Sequence, residues 1–234
     1  MTYNRINRTG QYFRSREAEN MNEKFFALPE EKQRTILNAG YRVFSQNSYK
    51  KSPMKEISDE AGISKSLLFH YFYNKKGLYL FLWDTCAKVT LEFLQKYGCY
   101  EITDLFEVML RGIKAKMHIM RKYPYMGAFV LKAYYEKDPE VSGAIQESIR
   151  THFSYTASTS LLNMDPEQFA PGLDLEMMYR QMYWASEGYI WEKMCQGEVD
   201  VDQMEEDFEQ IIAFWNKIFG RKQEEERGEK YERH

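Results

Sequence analysis

Two short helix signals stand back to back between Ser52 and Phe72, and the gap between them does most to limit the folds open to this chain. Ser52 followed by Pro53 suits a cap and a first helical position, and it opens a helix over about 53–61 with Met54, Ile57 and Ala61 on one face. Gly62 ends that helix, because glycine takes the left-handed conformation that closes a last turn, and Ile63 then plugs its apolar side. Ser64 is again a capping residue, so the next helix, from Lys65 to about Phe72, starts only two residues later. Helix, glycine turn, helix at this spacing predicts a helix-turn-helix.

The surrounding sequence is helical as well. Pro29, Glu30 and Glu31 suit a helix start, and Ile36, Leu37, Gly40, Val43 and Phe44 recur at helical spacing over about 29–46. Gly40 inside that helix costs about 1 kcal/mol relative to Ala, so either another helix packs closely there or the sequence tolerates the loss. Further helices are predicted at about 77–96, 104–122, 125–137, 139–162, 174–195 and 202–219, with breaks at Gly98, Pro124, Pro139, Pro166, Pro171, Gly172, Gly197 and Gly220. No strand alternation and no 20–50 residue repeat is found, and with only 13 Gly and 6 Pro in 234 residues the fold class is all-α.

Charge divides the chain unevenly. Residues 1–83 carry 14 Lys and Arg against 8 Asp and Glu, a net +6, and the remainder carries −9. A basic front and an acidic rear suit a front that faces a polyanion. The first 24 residues, with Arg5, Arg8, Arg14 and Arg16, read as a flexible basic arm that could touch phosphates or a minor groove, and Met21 is a possible alternative start.

Over residues 29–83 the pattern becomes specific. Ser52, Ile57, Ala61, Gly62, Ile63, Ser64, Lys65, Phe69, His70, Tyr71, Phe72, Asn74, Lys75 and Leu78 follow the DNA-binding domain of the tetracycline-repressor (TetR) family of transcriptional regulators almost position by position. The sequence departs from many members at Phe69, where Tyr is common, and at Leu67, where Thr or Ser is frequent, and each change removes a hydroxyl. The resemblance implies a three-helix N-terminal DNA-binding domain followed by a C-terminal helical domain that binds a ligand and dimerises. The expected division is 1–24 arm, 25–76 helix-turn-helix domain, 77–220 ligand-binding and dimerisation domain, and 221–234 charged tail.

A recognition helix whose N-terminus meets the duplex offers free amides and a positive dipole end to phosphates while its side chains enter the major groove. Lys65 and Ser66 can reach bases or phosphates, His70 lies one turn on from Ser66, and Ser64 caps the same turn. Tyr71, Lys75 and Lys76 sit at the far end, where the resemblance implies contacts to the DNA backbone, and Ser52 could add its hydroxyl. One such domain makes a small interface, so tight binding to a double-stranded, palindromic operator requires a dimer.

The last two helices supply a reason to dimerise. Met178, Met182, Ala185 and Tyr189 form one apolar line and Trp184, Gly188 and Trp191 another; Met204, Phe208, Ile211, Trp215 and Ile218 repeat on the final helix, with Ile212, Phe214 and Phe219 to the side. Two apolar faces must both be covered, and an isologous four-helix bundle with Ala185 and Gly188 at close approach, and Phe208, Ile211 and Trp215 in the interface, covers the second one. The alternative is that both faces lie inside one monomeric core. An effector pocket, implied by the resemblance, is expected among Met117, His118, Met120, Arg121, Tyr125, Phe129, Tyr134, Phe153 and Trp184.

Chemistry of other kinds lacks its residues. There is no Gly-x-Ser-x-Gly, Gly-x-Gly-x-x-Gly or His-Glu-x-x-His pattern and no Cys/His set with zinc spacing. Asp200 and Asp202 suit a helix cap and first turn rather than a calcium loop. Cys86, Cys99 and Cys195 read as reduced thiols. The expectation is a cytoplasmic, homodimeric regulator, a repressor released by a small-molecule effector, with no enzyme activity, no cofactor, no metal and no membrane contact. The alternative is a helical small-molecule-binding or interaction dimer that does not read DNA.

Overall fold

The computed structural model describes residues 23–150, 165–195 and 199–221. Residues 1–22 of the arm, the second half of the helix expected over 139–162 with Phe153, and nearly all of the charged tail fall outside them. The described residues are helical: one turn at Glu23–Phe26, then α1 Glu30–Gln46, α2 Met54–Glu60, α3 Lys65–Phe72, α4 Lys75–Lys96, α5 Leu105–Lys122, α6 Met126–Tyr134, α7 over 142–150, α8 Leu175–Cys195 and α9 Val201–Phe219. Among them the sole β-type pairing is an isolated bridge between Phe169 and Gly220. None of these helices is long and apolar enough to cross a membrane.

Most boundaries follow the sequence, and three departures have local causes. Asn74 starts α4 early: its side-chain oxygen accepts from the Gly77 amide at 2.7 Å, and Gly77 must be glycine because a Cβ there would lie 2.2 Å from the Phe72 carbonyl. α6 stops at Tyr134 because the Glu136 carboxylate takes the amides of Lys137 and Asp138 at 2.9 and 3.0 Å. Asp138 then accepts from the Glu140 amide at 3.0 Å and holds a turn that delays α7 to residue 142.

The chain forms two compact units, residues 1–92 with 118–154, and residues 93–117 with 155–234. In the first, α1 is the central element, with α2 and α6 packed on it. Tyr41, Phe44, Tyr79 and Phe129 bring α1, α4 and α6 together, with Phe129 5.4 Å from Tyr41 and 5.1 Å from Tyr79 between ring centres. A second cluster joins Phe25 to Tyr71, Phe72 and Phe81. Of the two readings of Gly40 the close neighbour holds: a Cβ there would sit 2.7 Å from Leu82 of α4. Cys86 is buried beside the Tyr41 hydroxyl, and burial pushes its thiol up to about 12. A thiol held neutral in this way is unreactive.

The second unit contains the first part of α5, a 3-10 turn at Pro166–Gln168, α8 and α9. Gln168 ties three segments: its side chain accepts from the Leu105 amide at 2.8 Å and donates to the Thr103 carbonyl at 3.0 Å, while its own carbonyl accepts from Arg221 at 2.7 Å. Asp200 caps α9 by accepting from Asp202 and Gln203, as its position in the sequence suggests. α8 and α9 are joined by Phe208 against Tyr189 and by a polar cluster on Asp207. The Tyr189 hydroxyl donates to Asp207 at 2.5 Å, Gln203 donates to its other oxygen at 3.0 Å, and Lys193 lies 3.6 Å away.

The hydrogen bond from Tyr189 is the largest of the influences that hold the Asp207 carboxyl below its ordinary range, followed by those of Gln203 and Lys193. A depressed carboxylate favours the folded state above the unfolded ionisation near pH 4, and that gain is lost as pH falls through the lower folded value. Tyr189→Phe is therefore expected to lower stability by about 1–2 kcal/mol near neutral pH. Its gap to the parent protein should narrow below about pH 4, as read from urea denaturation across that range.

Candidate nucleic-acid interface

The presentation of α3 begins on α1. The Lys32 ammonium donates to the Ala61 carbonyl at 2.8 Å, placing a cation on the last carbonyls of α2 where the helix dipole is negative. Gly62 follows with φ +61°, a conformation that favours glycine, and Ile63 donates back to the Ser58 carbonyl at 3.0 Å. Arg42 of α1 pairs with Glu60 and with Glu56, the latter at 3.3 Å, so α2 is pinned along its length. Direction and start of α3 are thus set by residues that leave its outer face uncovered.

On α3 the Ser64 hydroxyl accepts from the Leu67 amide at 3.1 Å, as a capping residue should. The amides of Lys65 and Ser66 lie in the first turn, where a helix provides no internal acceptor. No acidic residue occupies that turn. Ser64, Lys65, Ser66 and His70 are all exposed, while Leu68 and Phe72 are buried beneath them. Phe69, which lacks the common hydroxyl, is half-buried with the Lys65 ammonium 5.6 Å from its ring centre.

Three residues expected at the interface are turned elsewhere. Ser52 is 2% exposed; its hydroxyl donates to the Ser48 carbonyl at 2.9 Å, and α2 begins after Pro53 with no side-chain cap. Its expected capping and phosphate roles give way to closing the turn after α1. Tyr71 is buried against Phe25 and Phe72. Lys75 donates to the Lys50 carbonyl at 2.9 Å and lies 5.1 Å from the Tyr49 ring centre. Burial lowers its pKa, and the carboxylates of Glu140 and Asp138 act in the opposite direction.

Two features have no clear signal in the sequence. Lys24, outside the motif, lies 2.9 Å from the His70 ring nitrogen, so the segment before α1 borders the outer face of α3. Glu136 accepts from the Tyr49 amide at 2.7 Å, fastening the loop after α6 to the turn after α1. Their partners are 46 and 87 positions away, beyond the reach of any local pattern.

The residues expected to line an effector pocket do not share one compact unit. Met117 and Trp184 fall in the second unit, and His118, Arg121, Tyr125 and Phe129 in the first. Met117 and Phe129 are fully buried, Phe129 in the ring cluster on α1, whereas Tyr125 and Trp184 are exposed. A groove of about 280 Å³ in the first unit, lined by Phe25, Phe26, Arg34, Lys88, Glu92 and Tyr123 among others, contains none of them.

The expected dimer set also separates. Phe208 and Trp215 face inward, together with Met178, Met182, Met204 and Ile212. Ala185 and Gly188 are exposed, and so are Trp184 at 57% and Phe214 at 59%, with Trp191 and Ile218 on the same two helices. Two apolar faces exist, as the sequence suggests, and one of them lies on the outside of this chain.

Residues 36–81 match the model of the family described as bacterial regulatory proteins, tetR family. No curated protein matches the chain. Solved structures do: a TetR family transcriptional regulator from Chloroflexus aurantiacus is 21% identical with a TM-score of 0.56, covering 85% of this chain and 98% of that one. A fatty acid degradation regulator from Bacillus halodurans is 14% identical with a TM-score of 0.58, covering 79% and 97%. A ketosteroid transcriptional regulator of Mycobacterium tuberculosis is also 14% identical with a TM-score of 0.58, covering 80% and 93%. At these identities the likeness is one of fold, and the fold is that of TetR-family transcriptional regulators.

The cap on α3 can be weighed directly. Ser64→Ala removes the acceptor of the Leu67 amide and is expected to cost about 1 kcal/mol of stability, read as a lower thermal midpoint; Ser64→Asp should restore it.

Proposed function

We propose that this chain, whose resemblance to the tetR family runs through residues 36–81, is a homodimeric DNA-binding transcriptional regulator that acts as a ligand-released repressor. The observation that carries the reading is the first turn of α3. It has exposed Ser64, Lys65 and Ser66, with exposed His70 one turn on, no acidic residue, and a frame behind it that fixes its direction. Its amides and dipole suit phosphate oxygens, and Lys65, Ser66 and His70 are the side chains proposed to reach bases in the major groove. The excess of basic residues in the front of the chain gives the attraction its sign.

The outward apolar face of α8 and α9 is proposed as the dimer interface, with Trp184, Ala185, Gly188, Trp191, Phe214 and Ile218 packing against the same residues of a second copy. Such a dimer would place two α3 helices in successive major grooves of a palindromic operator, about 34–36 Å apart. We assign residues 25–76 to operator binding and 77–220 to sensing and dimerisation. A small apolar or amphipathic effector that binds better to the form with misplaced α3 helices lowers operator affinity by that difference in affinity. Chains named as a fatty acid degradation regulator and a ketosteroid transcriptional regulator share this fold, and no particular effector is assigned to this one.

Purified protein is expected to sediment as a dimer and to enrich a two-fold-symmetric duplex from a randomised DNA pool. Affinity for that duplex should fall steeply with salt, and Lys65→Ala should weaken it about tenfold or more. Trp184→Glu with Phe214→Glu should yield helical monomers that have lost operator affinity. A parent protein that is monomeric at micromolar concentration, or that enriches no duplex, overturns this reading in favour of a helical module that does not read DNA.

A further inference from the structure

The end of α3 opposite the capped turn carries a residue that neither the motif nor the comparisons assign a role. Tyr73 follows the last residue of α3 and, at 72%, is the most exposed large hydrophobic side chain among the described residues. It is also the sole non-glycine residue there with positive φ, at φ 65° and ψ −54°. The Asn74 amide donates to the Phe72 carbonyl at 2.7 Å, so residues 72–74 form a γ-turn of the rare, strained hand with Tyr73 at its centre. Nothing about an exposed tyrosine favours that conformation, which glycine or asparagine would adopt more readily.

The turn is imposed from both sides. The Tyr73 amide donates to the Phe69 carbonyl as the closing bond of α3, and Asn74 caps α4 by holding the Gly77 amide at 2.7 Å. The absence of a side chain on Gly77 lets the first turn of α4 approach the Phe72 carbonyl. The phenol is therefore held outward by a corner that two helix ends fix. Strained residues at such over-determined corners gather at functional sites.

Its surroundings suit a polyanion. Lys76 beside it is exposed, and the Lys75 bond to the Lys50 carbonyl brings the turn bearing exposed Lys50 and Lys51 next to this corner. The acidic groups nearby, Glu140 and Asp138, act on Tyr49 and Lys75, and Glu136 holds the Tyr49 amide. Lys75 is thereby committed inward. The backbone contacts that the motif places at the far end of α3 then fall to the groups exposed at this corner, where Tyr73 stands beside Lys76 as the neutral donor.

We propose that Tyr73 is a DNA-backbone anchor: its phenol donates to a phosphate of the operator duplex at the end of α3 remote from Lys65. The proposal rests on the DNA-binding reading above and adds a neutral donor to its contacts. Neutrality gives the contact a distinct signature. A lysine on a phosphate releases counterions and contributes to the salt dependence of binding, whereas a phenol adds affinity without changing that dependence.

The test uses the full chain and the duplex that it enriches from a randomised pool, with affinity measured by fluorescence anisotropy at several salt concentrations. Tyr73→Phe is expected to bind about tenfold more weakly at every salt concentration, with the slope of log affinity against log salt unchanged. Lys76→Ala and Lys65→Ala serve as the charged comparison, with a slope reduced by about one where each meets a phosphate. Tyr73→Gly relaxes the corner, so it should raise the thermal midpoint by about 2–4 °C and still lose the tenfold in affinity. A merely structural role for Tyr73 would not weaken binding in a better-folded variant. Parent-like affinity in Tyr73→Phe and Tyr73→Gly, alongside a weakened Lys65→Ala, overturns the anchor and leaves the DNA-binding reading standing. A parent chain that enriches no duplex overturns both.

Discussion

The ammonium of Lys32 on the Ala61 carbonyl, with left-handed Gly62 directly after it, is the contact that ties the turn between α2 and α3 to α1. α2 is seven residues long and α3 eight, too short to persist without tertiary support. What fixes them is a set of bonds from α1: Lys32 at the end of α2, Arg42 on Glu56 and Glu60 along it, and a buried layer that includes Ile36, Ile57 and Leu68. Because these bonds are made to α2 and the turn before α3, the exposed first turn of α3 can carry polar side chains with no structural duty apart from the Ser64 cap. The frame thus fixes the direction of α3 while its first turn stays exposed.

The same unit draws in chain from well beyond the motif. Phe129 of α6 packs among Tyr41, Phe44 and Tyr79, Asn38 donates to the Lys122 carbonyl at 3.3 Å, and Glu136 takes the Tyr49 amide. Within that unit α6 packs on α1. A displacement of α6 would meet α1 directly, without crossing a flexible linker.

Much of this was legible beforehand, and the limits have physical causes. Helix starts could be read at the capping residues Ser64 and Asp200, and a close approach was one of the two readings that the helical cost of Gly40 allowed. The two apolar faces of α8 and α9 were visible in their spacing, but a 3.6-residue period does not say which face turns inward, so Phe208 and Trp215 changed sides. Ser52 misled because Ser-Pro reads as a cap, while the Ser48 carbonyl one helical turn earlier competes for the same hydroxyl. Lys75 and Phe129 answer to partners that only tertiary folding brings near. Tyr73 had no signal at all, since its strained dihedral belongs to a corner between two helices.

The clasp between Glu136 and the Tyr49 amide bears on how this chain could be dissected. Cutting after the motif, near residue 83, would discard α6 and strip the cover from Tyr41, Phe44 and Tyr79, leaving an apolar wound on the back of α1. A transfer of this helix-turn-helix unit to another protein would therefore have to take residues 118–150 along with residues 23–92. The unit is assembled from two stretches of polypeptide, so modular swapping at a single junction would yield a fragment inclined to aggregate.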